Sequence, residues 1–175
     1  MHLVDPATGR VATTPDPLGP GQTAAGLALQ RDLLLVGGSG ASPSVGALSL
    51  VDGRLRWRVD DVAPDGGFVL GLAVRGTTVF GLTTAGWLVA VDLTNPRLLR
   101  RRRIAAEAGR LRVTPAGGLF AITPSQLLAI DPVTLAATEV IGGLGSMVWG
   151  WPPLAVAPNG DRYVIRGRDL VRVSG

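Results

Sequence analysis

The chain contains no cysteine, so neither a disulfide nor a thiolate metal site contributes to it, and its redox compartment is left unmarked. It contains no lysine either, and all seventeen of its basic residues are arginine. Its one histidine, His2, stands beside the initiator, where fraying is expected rather than catalysis. Ser-His hydrolysis and zinc-water chemistry therefore lack their usual base or ligand. No run of about 18 apolar residues occurs, so no membrane span is expected. The amino terminus shows no charged region followed by an apolar one, so no secretory signal is expected, and the compartment stays unknown.

What the chain does have is apolar residues, glycine and proline. With 175 residues, 46% of them hydrophobic, it is long enough to bury a core and too apolar for a disordered segment. Its 25 glycines and 13 prolines recur at intervals, as frequent turns between short strands would require. The arginine-for-lysine bias, with abundant alanine, glycine and leucine, reads as the codon composition of a GC-rich bacterial genome. That bias weakens any claim that arginine was chosen for bidentate recognition. A net charge of +4 permits anionic partners without requiring them.

A repeat of about forty residues organises the sequence. Four segments run from an apolar stretch into aspartate and a turn: "HLVDPATGRV" (2–11), "LSLVDGRLRW" (48–57), "LVAVDLTNPRL" (88–98) and "LLAIDPVTLAA" (127–137). Their aspartates, Asp5, Asp52, Asp92 and Asp131, follow one another at about 47, 40 and 39 residues. A short apolar piece follows each aspartate by about twenty residues: "GLAL" (26–29), "GLAV" (71–74), "LRVT" (111–114) and "PLAVA" (153–157). A second strand comes next: "DLLLVGG" (32–38), "TTVFGLTT" (77–84), "GLFAITPS" (118–125) and "DRYVIRG" (161–167). Such units suit four-stranded antiparallel meanders. One meander cannot cover both of its faces, whereas several packed radially can, so the spacing predicts an all-β chain forming a β-propeller of about four repeats. The expected blades cover about 27–60, 71–104, 111–141 and 153–175, with 1–14 as the end of a blade. On this reading the last blade lacks its fourth strand. Either "GRVATT" (9–14) supplies it and closes a small ring, or the chain is an open part of a larger propeller or a half completed by dimerisation. Open blade edges make self-association an expected property.

The segments "LVDPATGRV" and "LSLVDGRLRWRVD" resemble the PQQ-like repeat, through Asp5, Thr8 and Gly9 in one copy and Asp52, Gly53 and Trp57 in the other. The later copies keep Asp92 and Asp131 and look equally like YVTN- or WD40-type blades. The resemblance implies a quinoprotein-like or YVTN-like propeller and no particular activity. Quinoprotein dehydrogenases use adjacent cysteines, a calcium ion held by carboxylate and amide groups, and a catalytic aspartate. This chain has no cysteine, and its only asparagines, Asn95 and Asn159, fall in expected turns. The repeat aspartates read as turn caps spread around a ring.

Other candidates are weighed the same way. "VGGSGASPSVG" (36–46) lacks the ending of a phosphate loop and reads as a flexible hairpin loop. "VDDVAPDGG" (59–67) clusters Asp60, Asp61 and Asp65 and reads as a solvated loop. In "GGLGSMVWGWPP" (142–153), Trp149 and Trp151 form either an exposed aromatic anchor or inter-blade packing, whereas Trp57 and Trp87 sit at strand positions that pack between blades. "NPRLLRRRRIAAEAGR" (95–110) holds six of the seventeen arginines. In register it is an outermost strand with Arg97, Leu99, Arg101 and Arg103 on one face and Leu98, Arg100, Arg102 and Ile104 on the other. The alternative is a helix capped by Asn95 and stopped by Gly109.

These readings converge on a non-catalytic propeller that presents loops to a protein or small ligand, with Trp149, Trp151 and Arg100, Arg101, Arg102 and Arg103 as its interaction surface. No catalytic residue, metal ligand or cofactor is assigned, and no nucleic acid is expected. The alternatives are a fragment of a quinoprotein-like oxidoreductase and an anionic partner bound along Arg97–Arg103.

Overall fold

The computed structural model describes residues 2–4, 7–106, 109–145 and 154–174, and among these no helix occurs. Strands β1 (His2–Val4) and β2 (Val11–Thr13) pair with each other in a two-stranded sheet. The first blade is built from β3 (Gly26–Gln30), β4 (Leu33–Gly37), β6 (Val45–Ser49) and β7 (Leu55–Val59). A two-residue strand, β5 (Ser39–Gly40), leaves it to pair with the second blade. The second blade comprises β8 (Gly67–Arg75), β9 (Thr78–Thr83), β10 (Trp87–Asp92) and β11 (Arg97–Arg103). The third comprises β12 (Arg110–Val113), β13 (Leu119–Ile122), β14 (Gln126–Ile130) and β15 (Ala137–Gly142). The fourth has β16 (Leu154–Val156), β17 (Arg162–Arg166) and β18 (Asp169–Val173). Every pairing is antiparallel, and each joins consecutive strands apart from the β5–β8 link and the β4–β6 pair that flanks it. This is the β-propeller arrangement, and β2, which lies within "GRVATT", pairs with β1 rather than with β18.

Period-two alternation sends each blade's apolar residues to both faces, and the faces meet in pairs. Leu35, Val45 and Ala47 of the first blade pack on Leu72, Val79, Val89 and Val91 of the second. Phe80, Leu82, Leu88 and Ala90 on the opposite face of the second blade pack on Leu111, Leu119, Leu128 and Ile130 of the third. Phe120, Ile122 and Leu127 then meet Val164, with Leu154 and Val171 beside them, on the fourth. Core therefore lies between sheets, as sheet-on-sheet packing demands. The outward face of the first blade shows what an uncovered position looks like. Leu27 and Leu29 are 62% and 67% exposed, whereas Leu72, at the matching place in the second blade, is 8% exposed.

Two glycines set how closely the innermost strands approach. β3, β8 and β12 lie side by side. A Cβ on Gly26 would fall 2.5 Å from the Val69 carbonyl oxygen, and one on Gly71 would fall 3.0 Å from the Leu111 amide nitrogen. Both obstacles are backbone, so a side chain there pushes whole strands apart. Between the third and fourth strands, the first three blades each carry a one-residue bulge, at Ala47/Leu48, Ala90/Val91 and Leu127/Leu128. Each bulge increases the local twist of its outer strand.

Two expectations change here. The "VDDVAPDGG" loop is solvated at Asp60, Asp61 and Asp65, as expected, but it is anchored between them: Val62 and Ala63 are fully buried, with Val62 in the first inter-blade core, and Asp65 accepts a hydrogen bond from Trp87 Nε1 at 2.8 Å. The "VGGSGASPSVG" loop is clamped rather than flexible. Gln22 Nε2 donates to the Ser42 carbonyl at 2.8 Å, and Gln22 Oε1 accepts from Ser44 N at 3.1 Å and Ser44 Oγ at 2.8 Å. Both loops are held by residues about twenty positions away, which strand periodicity does not register. Trp57 and Trp87 are half-buried against the first inter-blade core, as their strand positions predict.

The Gly26 contact generates a test. Gly26→Ala is expected to destabilise the fold by roughly 1–3 kcal/mol through forced strand separation. Leu29→Ala, on the open face, should stay within about 0.5 kcal/mol of the parent. Chemical denaturation of both variants checks this, and equal effects would refute the close-approach argument.

Candidate binding surfaces

The aspartates of the repeat are committed to their own turns. Asp52 Oδ1 accepts from the Arg54 amide at 3.1 Å. Asp92 Oδ1 accepts from Thr94 N at 2.8 Å, Thr94 Oγ1 at 2.7 Å and Asn95 N at 3.3 Å. Asp131 Oδ1 accepts from Val133 N at 2.7 Å and Thr134 N at 3.2 Å. These donors favour the charged form and hold all three carboxyls below their ordinary value. The leading cause is the Arg54 amide for Asp52, the Thr94 hydroxyl for Asp92 and the Val133 amide for Asp131. A carboxylate kept ionised by its own turn is a poor proton donor, so the geometry suits capping. Asp5 lies outside the described residues.

The arginine run is strand β11, the outermost of the second blade, hydrogen-bonded on one edge to β10. The ladder to Trp87–Asp92 satisfies its backbone groups, which is why the local helix signals of Asn95 and Pro96 do not prevail. The bulge also changes which arginines share a face. Leu99 is the extra residue, so Arg97, Arg100 and Arg102 stand opposite Asp92, Ala90 and Leu88, on the side of the third blade. Arg101 and Arg103 stand opposite Val89 and Trp87, with Leu98, on the side of the first. Strict alternation, which groups Arg97 with Arg101 and Arg103, fails at that one residue. All five arginines are exposed. Arg101 Nη1 donates to the Asp61 carbonyl at 3.3 Å, and Arg100 lines a cleft of about 350 Å³ with Leu99, Phe80 and Val133. Arg100 to Arg103 thus form two opposed pairs along one open edge. Trp149 and Trp151 lie outside the described residues.

A second feature lies where the innermost strands converge. A cleft of about 280 Å³ is lined by Gly26 and Leu27 of β3, Gly71 and Leu72 of β8, and Arg110 and Arg112 of β12, among others. Cross-strand register aligns the blades. Gly26 and Ala28 face Gly37 and Leu35, Gly71 and Ala73 face Leu82 and Phe80, and Arg110 and Arg112 face Ile122 and Phe120. The third blade therefore carries two arginines where the first two carry glycine and alanine. Sequence reasoning missed them because it matched "LRVT" to "GLAV" one residue late. Aligning Leu111 with Leu27 and Leu72 would have exposed the substitution. β12 accordingly starts at Arg110.

No family model matches the sequence, and no curated protein sequence matches it. Solved structures do match its fold. The WD40 β-propeller domain of Doa1 superposes with a TM-score of 0.62 at 15% identity, over 86% of this chain and 49% of that one. A protein of unknown function from Bacteroides caccae gives 0.63 at 11% identity, over 94% and 66%. A chain of the mitotic checkpoint complex gives 0.69 at 11% identity, over 93% and 50%. The chain thus spans about half to two thirds of the length of these structures, and the likeness is one of fold.

The capped turns predict an acid response. Asp92 has its carboxyl lowered in the folded state, so its stabilisation is complete above the ordinary value of 3.8 and is lost as pH falls through the folded value. Asp92→Ala should lower the unfolding temperature at neutral pH, and the gap to the parent should narrow below pH 3.8. Thermal melts across that range check it, and a gap independent of pH would contradict the turn-cap role.

Proposed function

We propose that this chain is a non-catalytic binding or scaffolding propeller, presenting loops and edges to a protein or small ligand. One observation carries the reading: the acidic repeat residues are consumed by their own turns, whereas the exposed arginines of β11 and β12 are not absorbed by the core. The structural neighbours add support, since one of them is a chain of the mitotic checkpoint complex, an assembly of proteins. The chain is read as one propeller domain, residues 1–175, or part of a longer one, which its partial coverage of those neighbours accommodates.

Arg100, Arg101, Arg102 and Arg103, with Trp149 and Trp151, form the proposed interaction surface. An anionic partner along Arg97–Arg103 is favoured by the run of exposed guanidinium groups on an edge strand. Self-association is favoured by Leu27 and Leu29, which sit at positions that the other blades use for face-to-face packing. The quinoprotein-like alternative rests on Asp52, Gly53 and Trp57, of which Asp52 has the turn-capping use described above.

The test has two arms. Adding pyrroloquinoline quinone and calcium should produce no spectral change and no dye reduction, and turnover would overturn the non-catalytic reading. A fluorescent oligoglutamate peptide should bind at low salt and weaken steeply as salt is raised. Changing Arg100 to Arg103 together to alanine should abolish that binding, and unchanged affinity would remove the rim from the surface.

A further inference from the structure

We propose that the cleft between the outer parts of the second and third blades binds a small aromatic carboxylate, its ring beside Phe80 and its carboxylate on Arg100 and Arg75. The proposal rests on the binding-module reading and deepens it by naming a ligand class for one stretch of the β11 rim.

The first seam shows what the second leaves out. Cross-strand register gives each blade one row across its second, third and fourth strands. The row is Leu35, Ala47 and Trp57 in the first blade, and Phe80, Ala90 and Arg100 in the second. In the third it is Phe120, Ala129 and Thr138. Of the three rows, only the second ends on a charge. Leu35 and Ala47 belong to one inter-blade core, Phe80 and Ala90 to the next. The row of the first blade ends on an indole packed against its core, so apolar surface continues to the outer strand. The row of the second ends on an exposed guanidinium, and the seam there opens into the cleft of about 350 Å³. That size lies at the small end of ligand clefts, which begin near about 300 Å³. An aromatic group entering beside Phe80 and Ala90 supplies here the surface that Trp57 supplies in the first seam.

The walls suit such a ligand. Because β11 bulges at Leu99, the successive residues Leu99 and Arg100 both line the cleft, where an unbroken strand would turn one of them away. Leu99 and Val133 are apolar yet 41% and 61% exposed, and they face the cleft from β11 and from the β14–β15 turn. Phe80 and Ala90 line it too and are buried, so they form its floor.

Both cations stand on the cleft side of the second blade. Arg100 is opposite Ala90, and its charge reaches the turn of the third blade: the Asp131 carboxyl is held down chiefly by the Val133 amide and also by Arg100. Arg75 is opposite Thr78, on the face that carries Phe80. Its Nε donates to the Gly117 carbonyl at 2.7 Å, so the side chain crosses the seam. That bond uses one of the five guanidinium donors and fixes the plane of the fork. A planar carboxylate accepts two parallel N–H bonds from such a fork. A flat ring bearing one carboxylate therefore meets an apolar floor, two apolar walls and two cationic forks.

The full chain is titrated by calorimetry with N-acetyltryptophan and, in parallel, with its neutral amide and with acetate. Saturable one-to-one binding of the acid is expected, with the amide and acetate each at least about tenfold weaker. Arg100→Trp places in the second seam what the first already carries, so it should fold and lose the binding. Arg75→Gln should weaken the acid at least about threefold and leave the amide unchanged. Arg101→Gln, on the opposite face of β11, should bind as the parent does. Absence of saturable binding, equal affinity for acid and amide, or full affinity in Arg100→Trp or Arg75→Gln would each overturn the site. So would an equal loss in Arg101→Gln. If the site fails while oligoglutamate still binds the rim, the ligand assignment falls alone. If both fail, the binding-module reading falls with it.

Discussion

Every four-stranded sheet in this chain is apolar on both faces, and no sheet that thin can cover itself. Pressing one blade's face against the next resolves the problem, and the rest of the structure follows from that contact. It places Phe80, Leu82 and Leu88 of the second blade against Leu111, Leu119 and Ile130 of the third. It also requires the innermost strands to nearly touch, which limits Gly26 and Gly71 to having no side chain. The loops then inherit their tasks. Val62 fills the first inter-blade seam from a connection, and Gln22 pins the loop that contains Ser42 and Ser44.

The distribution of charge divides along a related line. The aspartates are short, sit in turns and find backbone amides within three residues. Two arginines of the second blade's strands instead reach beyond their own sheet. Arg101 extends to the Asp61 carbonyl and Arg75 donates to the Gly117 carbonyl at 2.7 Å. A modest net charge of +4 therefore conceals a local asymmetry, with the repeat aspartates spent on their turns and the arginines of β11 left exposed.

The sequence made the repeat legible because turn chemistry is local. Asp52, Asp92 and Asp131 mark the end of the third strand in each copy, and the alternating apolar residues beside them mark the faces. β11 was legible as an outer strand from its register alone. Other features were not, because they depend on distance in space. Nothing in "VDDVAPDGG" announces that Asp65 meets Trp87 across 22 residues. Arg110 was hidden more simply: its neighbour Leu111 was the true landmark, and a match one residue late turned a substitution at a glycine position into an unremarkable strand residue. Trp149 and Trp151 stay where sequence reading left them, since they lie outside the described residues.

The bulges before the outer strands have a consequence for how such a chain can change. A one-residue slip normally reverses every side chain on a strand and would carry core residues into water. Here the slip is absorbed at Arg56, Leu99 and Val140, just before each outer strand leaves its partner's register. In the first and third blades the inner three strands keep an unbroken register, while the second carries one further bulge at Leu70 of β8. In the first and third blades the periphery is thus insulated from the frame of the core. Its residues can be inserted, deleted or exchanged as a display while the inter-blade seams keep their alignment.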